Sequence, residues 1–414
     1  MFFLSEVSDN KLEAFLIYLN INNFNMMKTL TSSVVFFLFS VLCFTSNAQV
    51  YEYEFTAPAN IDRDGYARYK IYIPESVEKV RGIYCYVPGW QGSSLGMINN
   101  IEYQKYVEEK GFAFMCFNMV GSYTNYYQGV TLWSGDALVQ ALTKLSEISG
   151  HPELKYSAML FNGHSAGGQF AYHFTQYKPE RVIAFVTIKG GYHSLSSAGS
   201  AVNVPGYMFI GENDESHRID NLSGIFKTNR KYNALWCLAM EPNAGHGRVD
   251  EAIIHSYFDE IIPLRLPDII PLNNFPVLKS VQQQKGWLGN PDTHSISSFD
   301  EYGNSKKSAC WFPSEKIAKE WQLFSEGNFT LNTNVIEDKK LNVYPNPAKG
   351  SINISLKNNN VSNARFQIIS SLGQTVKEGK LVTNSIPVND LAKGAYIVRI
   401  HLKDQLSARK ILIE

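Results

Sequence analysis

Residues 163–167 read Gly-His-Ser-Ala-Gly and carry the clearest chemical information in the chain. A serine between two such glycines can occupy a sharp strand-to-helix turn that exposes its hydroxyl oxygen as a nucleophile. The mostly apolar residues 158–162 predict a buried strand before the turn, and residues 168–174 predict the start of a helix after it. The pattern therefore predicts Ser165 as a nucleophile; the alternative is a glycine-rich turn that merely contains a serine.

A serine nucleophile needs a base to accept its proton, and the base needs a carboxylate to orient it. When the serine lies on such a turn, the acid and then the histidine follow it along the chain. His246 lies between Gly245 and Gly247, just after the last predicted strand of the main sheet, and can reach over the serine. Other later histidines fit less well, because they fall on a predicted helix or outside the predicted α/β region. They are His255, His294 and His401.

Asp214 is the predicted orienting acid. It ends the stretch 211–214, Gly-Glu-Asn-Asp, which follows the predicted strand before the one leading to the histidine. Three other carboxylates are near enough in sequence to compete, and for each the alternative is a solvated loop side chain. They are Glu212, Glu215 and Asp220.

Backbone N–H groups must stabilise the negative charge that develops on a substrate carbonyl oxygen. The amide of Ala166, directly after the serine, is the first predicted donor of this oxyanion hole. The second is expected in residues 88–92, Pro-Gly-Trp-Gln-Gly, with Trp90 favoured and Gln91 the alternative. Pro88 replaces the histidine that more commonly opens this loop, a change compatible with function because the donor is a backbone amide.

Several aromatic residues close to this loop in sequence are candidates for lining a substrate cleft, with Asn125 and Gln128 among them. The predicted substrate-binding residues are Tyr123, Tyr126 and Trp133. Aromatic faces interleaved with amides suit sugar rings or phenolic acyl groups. Ordinary packing explains the same residues equally well.

The composition sets the broad class of protein. A chain of 414 residues suggests two or three domains, and 44% hydrophobic residues suffice for a sizeable core. The 38 Lys and Arg residues balance the 38 Asp and Glu residues, which argues against a nucleic-acid partner. Neither Cys-x-x-Cys nor His-Glu-x-x-His occurs, so no metal site is predicted.

Residues 1–48 predict an N-terminal extension followed by a signal peptide. A short positive segment, an apolar run over residues 34–44 and small residues at a cleavage site over residues 46–48 follow in the usual order. The apolar run is too short for a stable membrane span. A complete signal peptide begins only at Met26 or Met27, and we expect one of these to be the true start.

Four cysteines follow the predicted cleavage site. Export permits disulfides, yet most of the four lie within apolar, strand-like runs, and we expect small buried thiols. They are Cys85, Cys116, Cys237 and Cys310.

Residues 49–328 predict a catalytic domain of α/β class. After an opening antiparallel hairpin, continuous apolar runs suit strands buried on both faces of a mainly parallel sheet. Helical patterns separate several of them, as at residues 132–148 and 249–262, which indicates helices flanking the sheet. The apolar runs are 83–87, 112–117, 159–161, 182–188, 207–210 and 235–240.

The remaining chain departs from this pattern. Residues 264–328, rich in Pro, Asn and Ser, predict an appendage packed on the catalytic domain at the mouth of the site, with a short helix from Ser314. The polar residues 329–340 predict a linker. In residues 341–414, short strand-like runs follow one another without a helix, which predicts a small all-β, immunoglobulin-like sandwich.

Residues 50–262 resemble the α/β-hydrolase superfamily, and the nearest groups are secreted esterases of the polyhydroxybutyrate depolymerase and feruloyl esterase type. The resemblance rests on the serine turn (163–168), the acid loop (211–214) and the histidine loop (245–247). It implies a serine nucleophile, a histidine general base and acid, an orienting aspartate, an acyl-enzyme hydrolysed by water, and no cofactor.

Residues 341–414 resemble the C-terminal sorting domain of the Bacteroidetes type IX secretion system. The matching features are Val-Tyr-Pro-Asn-Pro at 343–347 followed by Gly350, Gly-Ala-Tyr-Ile-Val at 394–398, and Lys-Ile-Leu-Ile at 410–413. The resemblance implies the type IX machinery as partner, export across the outer membrane, and a secreted or cell-surface location after removal of the tail. A carbohydrate-binding module is the alternative, although the tail is short of aromatic residues for sugar stacking.

These features predict a secreted serine hydrolase, a carboxylic ester hydrolase acting on small or polymeric esters of plant-polymer or polyester type. One alternative is a serine peptidase on the same fold, which would cleave amides and usually has a gating domain, for which residues 264–328 are the candidate. The other is a non-catalytic surface binder, which predicts no labelling of Ser165 by an organophosphonate.

Overall fold

The computed structural model of the chain describes residues 49–122, 126–329, 341–356, 364–370, 375–402 and 405–414. The predicted signal peptide with Met26 and Met27, and linker residues 330–340, lie outside these ranges and stay predictions. Within the described ranges, no helix is both long and apolar enough to cross a membrane.

An eight-stranded sheet forms the centre of the first domain, in the spatial order β1-β2-β4-β3-β5-β6-β7-β8. The second strand pairs antiparallel with both of its neighbours, and all pairs from β4 onward are parallel. This order, with its opening hairpin, is the one expected of the α/β-hydrolase fold, so the predicted fold class is confirmed. The strands are β1 Gln49–Thr56, β2 Tyr66–Ile73, β3 Ile83–Val87, β4 Ala113–Val120, β5 Met159–His164, β6 Val182–Ile188, β7 Gly206–Gly211 and β8 Trp236–Glu241.

Helices alternate with the parallel strands and cover both faces of the sheet. Every residue of β3, β6 and β7 is buried, which explains why these strands are continuous apolar runs. Since parallel strands end at the same edge, the loops after β3, β5, β7 and β8 can meet there. The helices are α1 Ile101–Lys110, α2 Ser134–Ser149, α3 Ala166–Tyr177, α4 Ser216–Arg230 and α5 Glu251–Arg265.

The segment after α5 covers the open edge of the sheet at β8. The backbone N–H of Leu238 donates to Cys310 Sγ at 3.4 Å, and its carbonyl oxygen accepts from Trp321 Nε1 at 2.8 Å. An edge strand needs such partners because its N–H and C=O groups are otherwise unpaired. Other polar contacts join the appendage to helix α4, through Arg230 and the carbonyl oxygens of Lys306 and Ala309. These contacts tie it to the β8 side of the domain, whereas the sequence predicts a place at the mouth of the site. Its elements are β9 Trp287–Gly289, β10 Ile296–Ser298, β11 Cys310–Phe312 and α6 Glu315–Ser325.

The cysteines after the predicted cleavage site are free and buried, as the sequence predicts. Burial raises the pKa of each thiol, that of Cys310 to about 12. Because the thiolate is the reactive form, these groups are inert packing residues. They are Cys85, Cys116, Cys237 and Cys310.

The C-terminal residues form two antiparallel sheets around a separate apolar core, which confirms the predicted small β domain. One sheet has the order β12-β13-β16 and the other β15-β14-β17-β18. The strands are β12 Leu341–Tyr344, β13 Ser351–Leu356, β14 Arg365–Ser370, β15 Thr375–Lys380, β16 Ser385–Pro387, β17 Gly394–Leu402 and β18 Gln405–Ile413.

Candidate active site

Ser165 lies between the end of β5 and the start of α3, on the turn that the sequence predicts. Its backbone has φ 53° and ψ −121°, a strained conformation for a residue with a side chain. Its N–H donates to the carbonyl oxygen of Ile188 at 2.7 Å, which ties the turn to the neighbouring strand β6. This hydrogen bond to the adjacent strand thus helps to hold the strained turn in place.

The glycines flanking the serine allow backbone segments to touch. A Cβ atom added at Gly163 would lie 2.2 Å from the carbonyl oxygen of Gly167, and one added at Gly167 would lie 2.3 Å from that of Pro88. Both contacts are with backbone, which cannot swing away as a flexible side chain would. The two glycines of the motif are therefore steric requirements of the turn.

We expect Gly163→Ala to lower the free energy of unfolding by about 2 kcal/mol or more, because the added methyl group forces two backbone segments apart. Urea denaturation of the purified protein measures this loss. The matched control is Gly96→Ala, where no atom lies within 4 Å of the added Cβ. Equal unfolding midpoints for the two variants would contradict the steric account.

The structure brings Ser165, His246 and Asp214 together from three loops at one edge of the sheet. His246 Nε2 lies 3.0 Å from Ser165 Oγ, and His246 Nδ1 lies 3.0 Å from Asp214 Oδ2. With the proton on Nδ1, the ring donates to the carboxylate while Nε2 accepts from the hydroxyl. This is the hydrogen-bonded geometry that a general base and its orienting acid require.

The environment of Asp214 keeps its carboxylate ionised. Its side chain is only 2% exposed, and burial by itself would raise its pKa. Hydrogen bonds from His246 and from the backbone N–H of Glu215 (2.8 Å), with the guanidinium of Arg218 at 3.2 Å, outweigh burial and lower the pKa. Of the four carboxylates that sequence leaves as candidates, Asp214 is the one that contacts the histidine.

The predicted oxyanion donors border Ser165. Ala166 is the first residue of α3, so its N–H has no carbonyl partner within the helix. The loop after β3 packs against the serine, since a Cβ added at Gly89 would lie 3.5 Å from Ser165 Cβ. The N–H of Gln91 already donates to the Tyr127 hydroxyl at 3.2 Å. This engagement favours the N–H of Trp90 as the second donor.

Of the predicted substrate-binding aromatics, Tyr123 lies outside the described residues. Tyr126 is 48% exposed, and its ring centroid lies 6.0 Å from that of Trp90. Trp133 is only 2% exposed and stacks on Phe55, with ring centroids 6.2 Å apart. The structure therefore places Trp133 in the core, because its large apolar ring packs there, and leaves Tyr126 at the surface beside the loop.

Tyr127 holds the predicted oxyanion loop, residues 88–92, in shape, a role that sequence reasoning did not assign to it. Its hydroxyl accepts from Gln91 N–H and donates to the carbonyl oxygen of Gly89 at 3.3 Å. Its ring is buried and stacks on Trp90, with centroids 5.2 Å apart. Its membership of an aromatic cluster was visible in the sequence, but these contacts depend on tertiary packing.

His193 is a buried neutral residue beside the turn. Its Nδ1 donates to Asn221 Oδ1 at 2.8 Å, and its Nε2 lies 3.1 Å from Thr187 Oγ1. Burial first, and then the nearby His173, lowers the pKa of His193 to about 3 from an ordinary value of 6.5. Between these values, the unfolded chain binds a proton at this residue that the folded chain does not.

The unfolding free energy should therefore fall as pH drops below about 6.5, with His193 contributing a loss of about 3 kcal/mol by pH 4. Urea denaturation at pH 7, 5.5 and 4 measures the slope. Since other buried histidines also contribute, the test is the difference between wild type and His193→Gln, whose slope should be shallower. An identical pH slope in the variant would contradict this assignment.

A comparison with known protein families identifies the C-terminal tail as a sorting domain. Residues 342–414 match the family model described as the secretion system C-terminal sorting domain. The tail therefore directs the chain to the type IX secretion machinery and to the cell surface or the extracellular space, as the sequence predicts. No curated protein matches the chain.

Among similar solved structures, a dienelactone hydrolase from Anabaena variabilis ATCC 29413 is 17% identical, covering 53% of this chain and 100% of that chain, with a TM-score of 0.38. A ferulic acid esterase is 15% identical over 52% and 97%, with a TM-score of 0.36. Poly(aspartic acid) hydrolase-1 from Sphingomonas sp. KT-1 is 16% identical over 49% and 94%, with a TM-score of 0.34. Likeness at this level carries no information on substrate, and the strand order of the sheet defines the fold.

Proposed function

We propose that this protein is a secreted serine hydrolase that cleaves carboxylic esters through Ser165, His246 and Asp214. The observation that carries the proposal is the continuous hydrogen-bonded chain of these three side chains, with two 3.0 Å contacts. The strained serine turn and the adjacent backbone N–H groups support it. Each of these features serves acyl transfer.

In the first half of the reaction, Ser165 Oγ attacks the carbonyl carbon of the ester while His246 Nε2 takes the hydroxyl proton. The N–H groups of Ala166 and Trp90 stabilise the resulting oxyanion. The carbon–oxygen bond to the leaving group then breaks, and the histidine returns the proton to the departing alkoxide. The products of this half are an alcohol and an acyl-enzyme.

In the second half, a water molecule takes the place of the alcohol. His246 removes a proton from it, the hydroxide adds to the acyl carbon, and the bond to Ser165 Oγ breaks as the proton passes back to the serine. Asp214 remains ionised throughout, holding the ring in the tautomer with Nδ1–H and stabilising the imidazolium. The second product is a carboxylic acid.

Two features support an ester of plant-polymer or polyester type as the substrate. Export places the site outside the cell, where it meets esters too large to cross the outer membrane. Tyr126, exposed beside the oxyanion loop, offers an aromatic face to a ring of the substrate. The kcat/KM values measured on a panel of acetyl, feruloyl and 3-hydroxybutyryl esters will show which acyl group the enzyme prefers.

The ester proposal is tested with p-nitrophenyl acetate and the matching amide, p-nitroacetanilide. We expect hydrolysis of the ester and no measurable hydrolysis of the anilide. Comparable kcat/KM values for both would favour the peptidase alternative. Activity on neither substrate, nor on the wider ester panel, would favour a non-catalytic binding protein that keeps the fold.

A further inference from the structure

Strand β5, which leads into the nucleophile, also forms hydrogen bonds with the loop that carries the base. Asn162 and His164 are two residues apart in β5, so their side chains lie on the same face of the strand. Both contact the segment 246–251, which connects the histidine to helix α5. The intervening residue, Gly163, packs against the serine turn instead.

His164 holds the backbone of the histidine loop at the base itself. Its Nε2 lies 2.8 Å from the carbonyl oxygen of His246, and since a carbonyl only accepts, the proton is on Nε2. Burial lowers the pKa of His164 to about 4, so the ring is neutral at ordinary pH. A neutral ring suits this place, because the two imidazole centroids are 5.1 Å apart and His246 becomes a cation during the reaction.

Asn162 holds the same loop just beyond the base. Its amide is fully buried, its Oδ1 accepts from Arg248 at 2.7 Å, and its Nδ2 donates to Glu251 at 2.6 Å. Arg248 is fixed further by an ion pair with Glu251 at 2.9 Å and by the ring of Tyr86, whose centroid lies 4.1 Å from the guanidinium carbon. The loop is therefore attached to β5 at two places, through His164 at residue 246 and through Asn162 at residues 248 and 251.

These attachments matter because the loop has little stiffness of its own. His246 lies between Gly245 and Gly247, and glycine permits a wide range of backbone conformations. Proton transfer nevertheless requires Nε2 to stay within hydrogen-bonding distance of Ser165 Oγ. A displacement of about 1 Å in such a geometry can cost about 100-fold in rate.

We propose that Asn162 and His164 are positioning residues, which fix the distance between nucleophile and base by attaching both to the single strand β5. The inference rests on the proposed function and extends it to residues that touch neither substrate nor the reacting atoms. Loss of one attachment should lower kcat about 10-fold to 100-fold. KM should change little, because the hydrogen bond that is lost holds the backbone of the base.

The test compares His164→Leu, which removes the N–H donor, with His164→Gln, whose side-chain amide can donate to the same carbonyl oxygen. On p-nitrophenyl acetate, we expect the leucine variant to lose kcat at unchanged KM and the glutamine variant to recover most of it. Thermal unfolding monitors folding of each variant. The control is His151→Leu, at a histidine that precedes β5 in the chain and contacts Glu153.

A wild-type kcat in His164→Leu, or an equal loss in His164→Gln, would overturn the inference. Should His164→Leu fail to fold, Arg248→Met decides instead, because it removes the donor to Asn162 at a partly exposed site. A wild-type kcat in that variant would likewise overturn it. Inactivity of the wild type on every ester would refute the proposed function, a different result from an active wild type with an equally active leucine variant.

Discussion

Replacing Ser165 with alanine is expected to lower kcat on short p-nitrophenyl esters by about 10³-fold or more. The variant loses the hydroxyl oxygen that lies 3.0 Å from the proposed base and beside the proposed oxyanion donors. The fold should be retained, since the side chain becomes smaller and the tie from its N–H to Ile188 remains. Initial rates at saturating ester measure the effect.

The control for this prediction is Ser200→Ala, at an exposed serine of the same domain. It should keep the wild-type rate. If Ser165→Ala retains ester hydrolysis within about tenfold of wild type, another group performs the attack and the assignment of the nucleophile fails.

Replacing Asp214 with asparagine should lower kcat by about 10³- to 10⁴-fold at neutral pH, with little change in shape. The asparagine amide can donate to His246 Nδ1, which moves the ring proton to Nε2. An Nε2 that carries a proton cannot accept one from Ser165 Oγ. The loss therefore comes from the wrong tautomer rather than from a missing contact.

Asp220→Asn is the matched control, because it makes the same chemical change at an exposed carboxylate in helix α4. It should leave kcat unchanged. A large loss in Asp220→Asn together with a small one in Asp214→Asn would reverse the assignment of the acid, since sequence alone left both residues as candidates.

The serine turn could be predicted because one of its causes is local. Gly163 is required by its contact with Gly167, four residues along the chain, so this requirement shows in the sequence spacing. Gly167 is required by its contact with Pro88, a distant segment that the spacing does not reveal. The acid and the base could be predicted because parallel strands deliver their loops to one edge in a fixed order. Sequence favoured Asp214 but could not exclude its neighbours, since the choice depends on which carboxylate reaches the histidine.

Contacts between loops could not be predicted from the sequence. The bond from His164 to the His246 carbonyl joins residues 82 positions apart, and no residue type signals it. Trp133 was expected at a cleft, yet a tryptophan that packs in a core has the same sequence signature as one that stacks on a substrate. Exposure, which separates the two cases, follows from the packing of Phe55 across the ring.

The apolar strand β8 illustrates a further limit. Its sequence predicts a strand buried on both faces, yet it lies at the edge of the sheet. It is covered because Cys310 and Trp321, far along the chain, bond to the backbone of Leu238. The composition of residues 264–328 indicated an appendage, but the surface that it covers follows from these contacts.

Active-site labelling with an organophosphonate, read out by mass spectrometry of the peptide carrying residues 163–167, tests the central claim most directly. It needs no knowledge of the natural substrate, because the reagent reports only an activated serine. We predict one adduct, on Ser165, absent in Ser165→Ala and formed far more slowly in His246→Ala. No adduct on the folded wild-type protein, or an adduct on a different serine, would contradict the proposed nucleophile.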